Sequence, residues 1–451
     1  MQITEVNTDG LKRTLKVTVG QNELGERFNQ RLGEIKDRVQ LKGFRKGKVP
    51  LAHIKKLYGR SLMAEVLEQT VRETSSKAIT DRNERPAMQP AIDLPEDKDE
   101  IEKVISGEAD LAYSMSFEVL PEIAITDLDK IALERLVVEV TPEAIDEVMQ
   151  DLRRRSTTYE AEEGRVAVNG DRVTLDFVGK IDGVPFEGGD DKDVPVIVGQ
   201  GNFIPGFEEG LAGLKAGDEK VVQATFPEAY QVETLAGKQA DFDVKVTEVA
   251  APKVPEVNDE FAKSLGAEDV EKLKELITKQ LEQEYAQAAR VKIKRELLDA
   301  LEAAHDFELP ASLVENEFES IWKQLGDEML RSGKSFEDEG KTEDDARAEY
   351  KKLAERRVRL GLVIGEIGEK NKIEITQDEL RRALVEQARR YPGQEKFVYE
   401  YYEKTPGALA QLRAPMFEDK VVDYVLEQAK PTEKTVSKDD LMKALETATD
   451  V

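Results

Sequence analysis

Cysteine is absent from the 451 residues, which excludes a disulfide framework, a thiol nucleophile and a zinc ribbon. Histidine is almost absent: only His53 and His305 occur, far apart in the chain. A histidine-based metal cluster or a Ser-His-Asp triad therefore has no residues to draw on, and both read as surface or packing residues. No run approaches the 18 or more apolar residues of a membrane span. The opening residues Met1-Gln2-Ile3-Thr4-Glu5-Val6 lack the cationic and apolar regions of a secretory signal. No glycine cluster has G-x-G-x-x-G or Walker A spacing with a following Lys-Ser/Thr. The expectation is a cytoplasmic protein that uses no metal, no cofactor, no nucleotide and no membrane.

What is present is charge. The formal net charge is −27, and charged residues make up 35% of the chain, against about 25% in ordinary globular proteins. This excess fits a molecule with much surface for its volume. At roughly 150 residues each, the length corresponds to about three domains.

One stretch runs against the acidic balance. From Lys36 to Arg60 there are nine Lys or Arg against the single acid Asp37, a local net of +8. At its centre is Gly43-Phe44-Arg45-Lys46-Gly47-Lys48-Val49-Pro50. Upstream, Leu24, Phe28, Leu32, Ile35 and Val39 fall on one helical face, and Gly43 stands where a left-handed residue ends a helix. Pro50 suits the first turn of a second helix, so residues 44 to 48 are predicted to form a tip. A solvated cationic face is one explanation of such a run. A surface that docks on phosphates and protein is the other, and it accounts for Phe44 beside Arg45 and Lys46. Gly43 to Pro50 closely resembles the ribosome-docking signature of bacterial trigger factor, a chaperone family of the polypeptide exit tunnel. The resemblance extends over the whole chain and keeps its domain order. It implies ribosome binding through Gly43, Phe44, Arg45, Lys46, Gly47, Lys48 and Pro50, with ribosomal protein and RNA phosphates as partners.

Around the tip, Leu15, Val17 and Val19 alternate with polar residues as a half-buried strand, and Leu111, Tyr113, Met115, Phe117 and Val119 as another. A helix is predicted to start at Ser61 as N-cap. Residues 1–115 thus read as a compact α+β domain. Residues 116–156 read as a connector ending in a helix capped by Thr141. The Ile145, Val148, Met149 and Leu152 stripe of that helix needs a partner surface, expected from the C-terminal part of the chain.

From Gly164 to Ala250 strands and glycine turns take over. Asp182-Gly183 reads as a hairpin turn, and residues 157–250 as a β-rich domain. Gly199-Gln200-Gly201-Asn202-Phe203-Ile204-Pro205-Gly206-Phe207 resembles the pocket-lining segment of FKBP-type peptidyl-prolyl isomerases. The match continues in Thr174 to Phe177, Gly183 to Gly188, Tyr230 and Asp241 to Val244. The resemblance implies an isomerase pocket of Phe177, Phe186, Phe203, Ile204, Phe207, Tyr230 and Phe242, with Glu187 as the polar group near the substrate backbone. For Phe177 and Phe242 a plain barrel core explains the pattern equally well, whereas Phe203 and Phe207 flank Pro205-Gly206 and favour a pocket. The sequence departs from the family at two places: Phe207 stands where Trp is usual, and Glu187 where Asp is usual. Affinity for macrolide inhibitors is thereby put in doubt. The only tryptophan, Trp322, lies elsewhere.

Residues 251–430 read as helical. A helix over 269–304, with Val270, Leu273, Ile277, Leu281, Tyr285, Ala288, Leu298 and Leu301 on its apolar side, spans roughly 50 Å. Further starts are predicted at Thr342 with Asp345, at Thr376 with Glu379 and at Thr405-Pro406. Long helices joined by short extended pieces imply arms, and residues 431–451 read as a loose tail. The fold class expected is multidomain α+β: an α+β docking domain, an FKBP-like β-rich domain and an extended all-α domain with arms.

The function expected from the resemblance is a ribosome-associated, ATP-independent chaperone that holds nascent and unfolded polypeptides open and carries prolyl isomerase activity. The family is also linked to protein export and cell division. The alternative is a free FKBP-type isomerase with a helical substrate-gripping region and no ribosome binding. A third reading is an acidic scaffold with a vestigial barrel. A homodimer off the ribosome stays open, because nothing in the sequence decides the oligomeric state.

Overall fold

The computed structural model describes residues 1–38, 49–95, 97–228, 230, 232, 234–333, 335, 336, 338 and 340–446. In chain order, β1 (Gln2–Asp9), β2 (Lys12–Val19), α1 (Gln21–Arg38), α2 (Leu51–Asp81), β3 (Ala91–Asp93), α3 (Lys98–Ser106) and β4 (Leu111–Glu118) come first. Next are β5 (Glu134–Val137), α4 (Pro142–Arg155), β6 (Thr158–Ala161), β7 (Arg172–Ile181), β8 (Val184–Ile197), α5 (Phe207–Leu211), β9 (Glu219–Thr225) and β10 (Gln239–Lys253). The remainder is helical: α6 (Asp259–Ser264), α7 (Val270–Ala304), α8 (Ala311–Ser332), α9 (Glu343–Lys370), α10 (Gln377–Arg389), α11 (Glu395–Lys404) and α12 (Ala408–Ala429), closed by β11 (Thr432–Thr435) and α13 (Lys438–Glu446). The fold is multidomain α+β. Two compact units divide the chain, Met1–Arg135 with Arg290–Lys434, and Leu136–Ala289 with Thr435–Val451.

In the first unit an antiparallel sheet runs in the order β1-β2-β4-β3. The period-2 pattern of β2 and β4 turns Leu15, Val17, Val19, Tyr113, Met115 and Phe117 inward against Leu24 of α1 and Ala78 of α2. The buried Tyr113 hydroxyl is satisfied by Thr74 and Ser75, each at 2.8 Å. β1 gave no sequence signal because it is an edge strand, polar along most of its length, with Ile3 alone among its residues part-buried against the core. The helix expected to begin at Ser61 is instead the interior of α2. Its hydroxyl donates to the Tyr58 carbonyl at 2.9 Å, so the side chain finds inside the helix the partner it would otherwise seek as a cap.

The helical part of this unit is built on Ile293, Leu297 and Leu301 of α7, Val363, Ile364 and Ile367 of α9, and Val421, Val422 and Val425 of α12. α8 packs on α9 through Val314, Ile321 and Ala354. Nearby, Trp322 stacks between Phe318 and Phe336 with centroids 5.7 and 5.5 Å away. Capping boxes form at Thr342 with Asp345 and at Thr376 with Glu379. The start expected at Thr405 is corrected: Thr405 ends α11, and α12 is capped by Gly407 at φ 84°, a left-handed position that glycine takes without strain.

In the second unit a sheet runs β6-β10-β7-β8, with β9 on the first half of β10. Its core holds Val173, Leu175, Val196, Leu211, Val222, Val244 and Val246. The β7–β8 hairpin turns at Asp182 and Gly183, with φ 53° and 82°, the positive pair of a type I′ turn. The α4 stripe of Ile145, Val148, Met149 and Leu152 meets Phe261, Leu273, Ile277, Leu281 and Tyr285. The tail expected to be loose is ordered through Glu446. The Val436 N–H bonds the Val137 carbonyl at 2.9 Å, and Leu441 of α13 is fully buried in the same cluster as the α4 stripe. A few apolar residues in a polar stretch hide its role, because their partner surface lies nearly 300 residues upstream. Among the described residues, no helix is long and apolar enough to cross a membrane.

Candidate active site

The β-rich domain encloses a cavity of about 720 Å³. Its construction begins with two glycines. Gly179 on β7 pairs directly with Phe242 on β10, and a Cβ at Gly179 would stand 2.7 Å from the rings of both Phe186 and Phe242. Gly189 likewise faces the Phe186 ring at 2.7 Å. Small residues on the pleated surface thus leave room for aromatic rings over it. Phe242 meets Phe207 edge-on at 5.1 Å and 80°, and Phe177 at 6.0 Å and 64°. Phe203 stacks on Phe207 at 5.5 Å and 21°.

Phe207, the first residue of α5, is 2% exposed and forms the floor. Phe203, Ile204 and Pro205 precede it as one wall, while Phe177 and Phe186 rise from β7 and β8. Tyr230 stands at the opening, in contact with Phe226 at 4.8 Å. Glu187, solvent-exposed, is the carboxylate among the described lining residues. All eight sequence-derived pocket residues therefore face one space, and the alternatives for Phe177 and Phe242 merge: each packs in the barrel core with one side and lines the cavity with the other. Sequence reading missed Phe226, Val232 and Leu235, which complete the lining. Phe226 follows the end of β9 and its motif context gave no cue; the signal available was an aromatic directly before Pro227 and four residues before Tyr230.

Behind the wall, Glu208 is buried and 4% exposed. Its Oε2 accepts the Gly201 N–H at 2.8 Å, and its Oε1 accepts those of Asn202 at 2.8 Å and Phe203 at 3.0 Å. Burial pushes its pKa up, but the backbone N–H groups of Gly201, Phe203, Asn202 and Gly199 outweigh burial and hold it below the usual carboxylate value. At the base of the domain, buried Asp171 takes a two-pronged bond from Arg165, at 2.9 and 3.0 Å, and the Val168 N–H at 3.1 Å. These donors likewise overcome the effect of burial and lower its pKa.

The expected docking residues Gly43, Phe44, Arg45, Lys46, Gly47 and Lys48 lie outside the described residues. Pro50 is the N-cap of α2, at φ −60° and ψ 134°. The first turns of α2 expose Leu51, Leu57 and Tyr58 beside Lys55 and Lys56, an apolar component that the cation count alone did not reveal. In the helical part of the same unit, Tyr391, Phe397, Tyr401 and Tyr402 line a groove of about 270 Å³ with Gln387 and Gln394. Phe397 is 69% exposed and Leu330 of α8 is 84% exposed.

Three family models match the chain in succession: bacterial trigger factor protein over residues 1–152, FKBP-type peptidyl-prolyl cis-trans isomerase over 163–247, and bacterial trigger factor protein C-terminus over 269–427. The trigger factor of Azorhizobium caulinodans is 50% identical over 443 residues, covering 98% of each chain. That of Rhodopseudomonas palustris is 51% identical over 444 residues, again covering 98% of each. A solved structure of a trigger factor chaperone aligns with a TM-score of 0.57 at 21% identity, covering 95% of this chain and all of that one, a likeness of fold.

Proposed function

The chain belongs to the bacterial trigger factor family, with an FKBP-type domain between its two trigger factor regions, and we propose that it docks on the ribosome through Gly43 to Lys48 and Pro50, holds emerging chains on its helical surfaces and isomerises their prolyl bonds in the aromatic cavity. The observation that carries the isomerase reading is the cavity itself, where one space is walled by Phe177, Phe186, Phe203, Ile204, Phe207, Tyr230 and Phe242. Rotation about an X-Pro bond meets a barrier of about 18–20 kcal/mol. A planar amide carries charge separation that water stabilises. An apolar, water-poor site favours the twisted, less polar form, so binding that form better than the planar one lowers the barrier without nucleophile or metal. In this reading Glu187, an exposed carboxylate of the lining, accepts a hydrogen bond from the substrate backbone.

The docking reading is supported by the local +8 charge in an otherwise acidic chain and by the exposed Leu51, Leu57 and Tyr58 beside Lys55 and Lys56. Cations contact RNA phosphates with release of counterions, and the apolar groups contact ribosomal protein. A free isomerase with no ribosome binding leaves the trigger factor match over residues 1–152 without a purpose. Activity in the cytoplasm follows from this reading, as do any contributions to export and cell division. Co-sedimentation with ribosomes is the test. Replacing Phe44, Arg45 and Lys46 together with Ala should abolish binding while the fold stays intact, and binding by the parent should weaken with added salt. Unchanged sedimentation of the triple variant refutes the assignment of the tip.

A further inference from the structure

We infer that Glu208 is a positioning residue of the isomerase site: its buried carboxylate collects the backbone N–H groups of Gly201, Asn202 and Phe203 and so holds the loop that carries one wall of the cavity. The inference rests on the isomerase reading proposed above.

The segment between β8 and α5 has little of its own to fix it. Gly199, Gly201 and Gly206 all sit at positive φ, 83°, 74° and 91°, and glycine loses more backbone freedom on ordering than any other residue. Yet Phe203, Ile204 and Pro205 on this segment must stand still against a rotating amide, since misplacement by about 1 Å can lower a rate on the order of a hundredfold. Three N–H groups converge on one carboxylate, at 2.8, 2.8 and 3.0 Å. Successive backbone N–H groups aimed at one point form an anion-binding concavity, and here the anion is part of the chain. The lowered pKa of Glu208 agrees with a carboxylate held charged by these donors.

The tie also has the right connectivity. Glu208 follows Phe207, the cavity floor, and Phe203, the last of the three donors, stacks on that floor at 5.5 Å. One α5 turn therefore fixes floor and wall together. Glu208 is not among the residues that line the cavity, so it acts through the loop and not on the substrate.

The test uses the full chain. Glu208→Gln conserves volume, but an amide has one acceptor oxygen where the carboxylate has two, and its NH₂ group opposes at least one of the three donors. The expected result is a fall in kcat/KM on a proline peptide on the order of tenfold to a hundredfold, with faster hydrogen exchange confined to the amides of Gly201, Asn202 and Phe203. Val249→Ala is the control: it trims the barrel core further along β10 from Phe242, where Val249 pairs with Val173, and lowers stability while leaving the rate unchanged. Glu208→Asp, which keeps the charge at shorter reach, should recover part of the activity. A folded Glu208→Gln chain with the parent's rate overturns the inference. So does a parent chain whose Gly201, Asn202 and Phe203 amides exchange as fast as open loop, a measurement that stands even if the variant fails to fold. A parent chain that does not isomerise the peptide overturns the isomerase reading and this inference with it, and that failure is read from the parent alone.

Discussion

Gly179 lies directly opposite Phe242 across the β7–β10 ladder, and the missing side chain is where the Phe242 and Phe186 rings sit. A methyl group at this position would come within 2.7 Å of both. Gly179→Ala should therefore push two cavity walls from their places. Overpacking of this kind destabilises by about 1–3 kcal/mol, and the expected signature is a loss of isomerase rate on a proline peptide with the domain still folded. An unchanged rate would show that the rings are free to yield.

Phe207→Ala removes the floor beneath Phe203 and beside Phe242. Because the ring is almost wholly buried, the barrel should lose about 3–5 kcal/mol, seen in urea unfolding of the full chain. Most isomerase activity should go with it, since water then enters beneath the substrate amide.

Asp171 gives a prediction in pH. Its folded pKa is depressed, so the stability it contributes is present above the unfolded carboxylate value of about 3.9 and is lost as pH falls through that value toward the folded one. Asp171 is fully buried while Arg165 is partly exposed, and an amide in place of the carboxylate keeps only one of the two acceptors for the guanidinium. Asp171→Asn should then be destabilised fully at neutral pH, and the gap to the parent should close below about pH 4. A gap that does not narrow in acid would mean that the Arg165 bond is not its source.

For the helical surface, Phe397→Ser together with Tyr401→Ser should leave stability within about 0.5 kcal/mol, as expected of exposed positions. The same pair should weaken suppression of aggregation when a denatured client is diluted into the protein, because exposed apolar patches of this kind mark interaction surfaces. Deleting residues 157–247 should leave that protection largely intact, and deleting 255–430 should remove it. Light scattering distinguishes these outcomes.

Leu441 tests the tail. Fully buried against the cluster of α4 and α7, its replacement by Ala should cost about 2–5 kcal/mol in thermal or denaturant unfolding, whereas a loose tail would tolerate the change without effect.

The residues by themselves determined every feature whose cause is local. The alternation of Leu15, Val17 and Val19, the caps at Thr141, Thr342 and Thr376 and the Asp182-Gly183 turn each depend on a few neighbouring side chains and their hydrogen bonds. The phenylalanines of the cavity were also legible, because Phe203 to Phe207 form a compact run. Only the tertiary structure decided how they are used. Phe242 fronts a cavity because its strand registers with Gly179, 63 residues away in the sequence, and Phe226 joins it because β9 pairs with β10. Glu208 reads as one more acid in an acidic chain until folding buries it beneath three N–H groups. The tail reads as polar until Leu441 meets a surface made far upstream, and Ser61 reads as a cap until the packing of α2 carries the helix through it. In each case the deciding energy is burial or hydrogen bonding between groups distant in sequence, and no local pattern records which distant group will arrive.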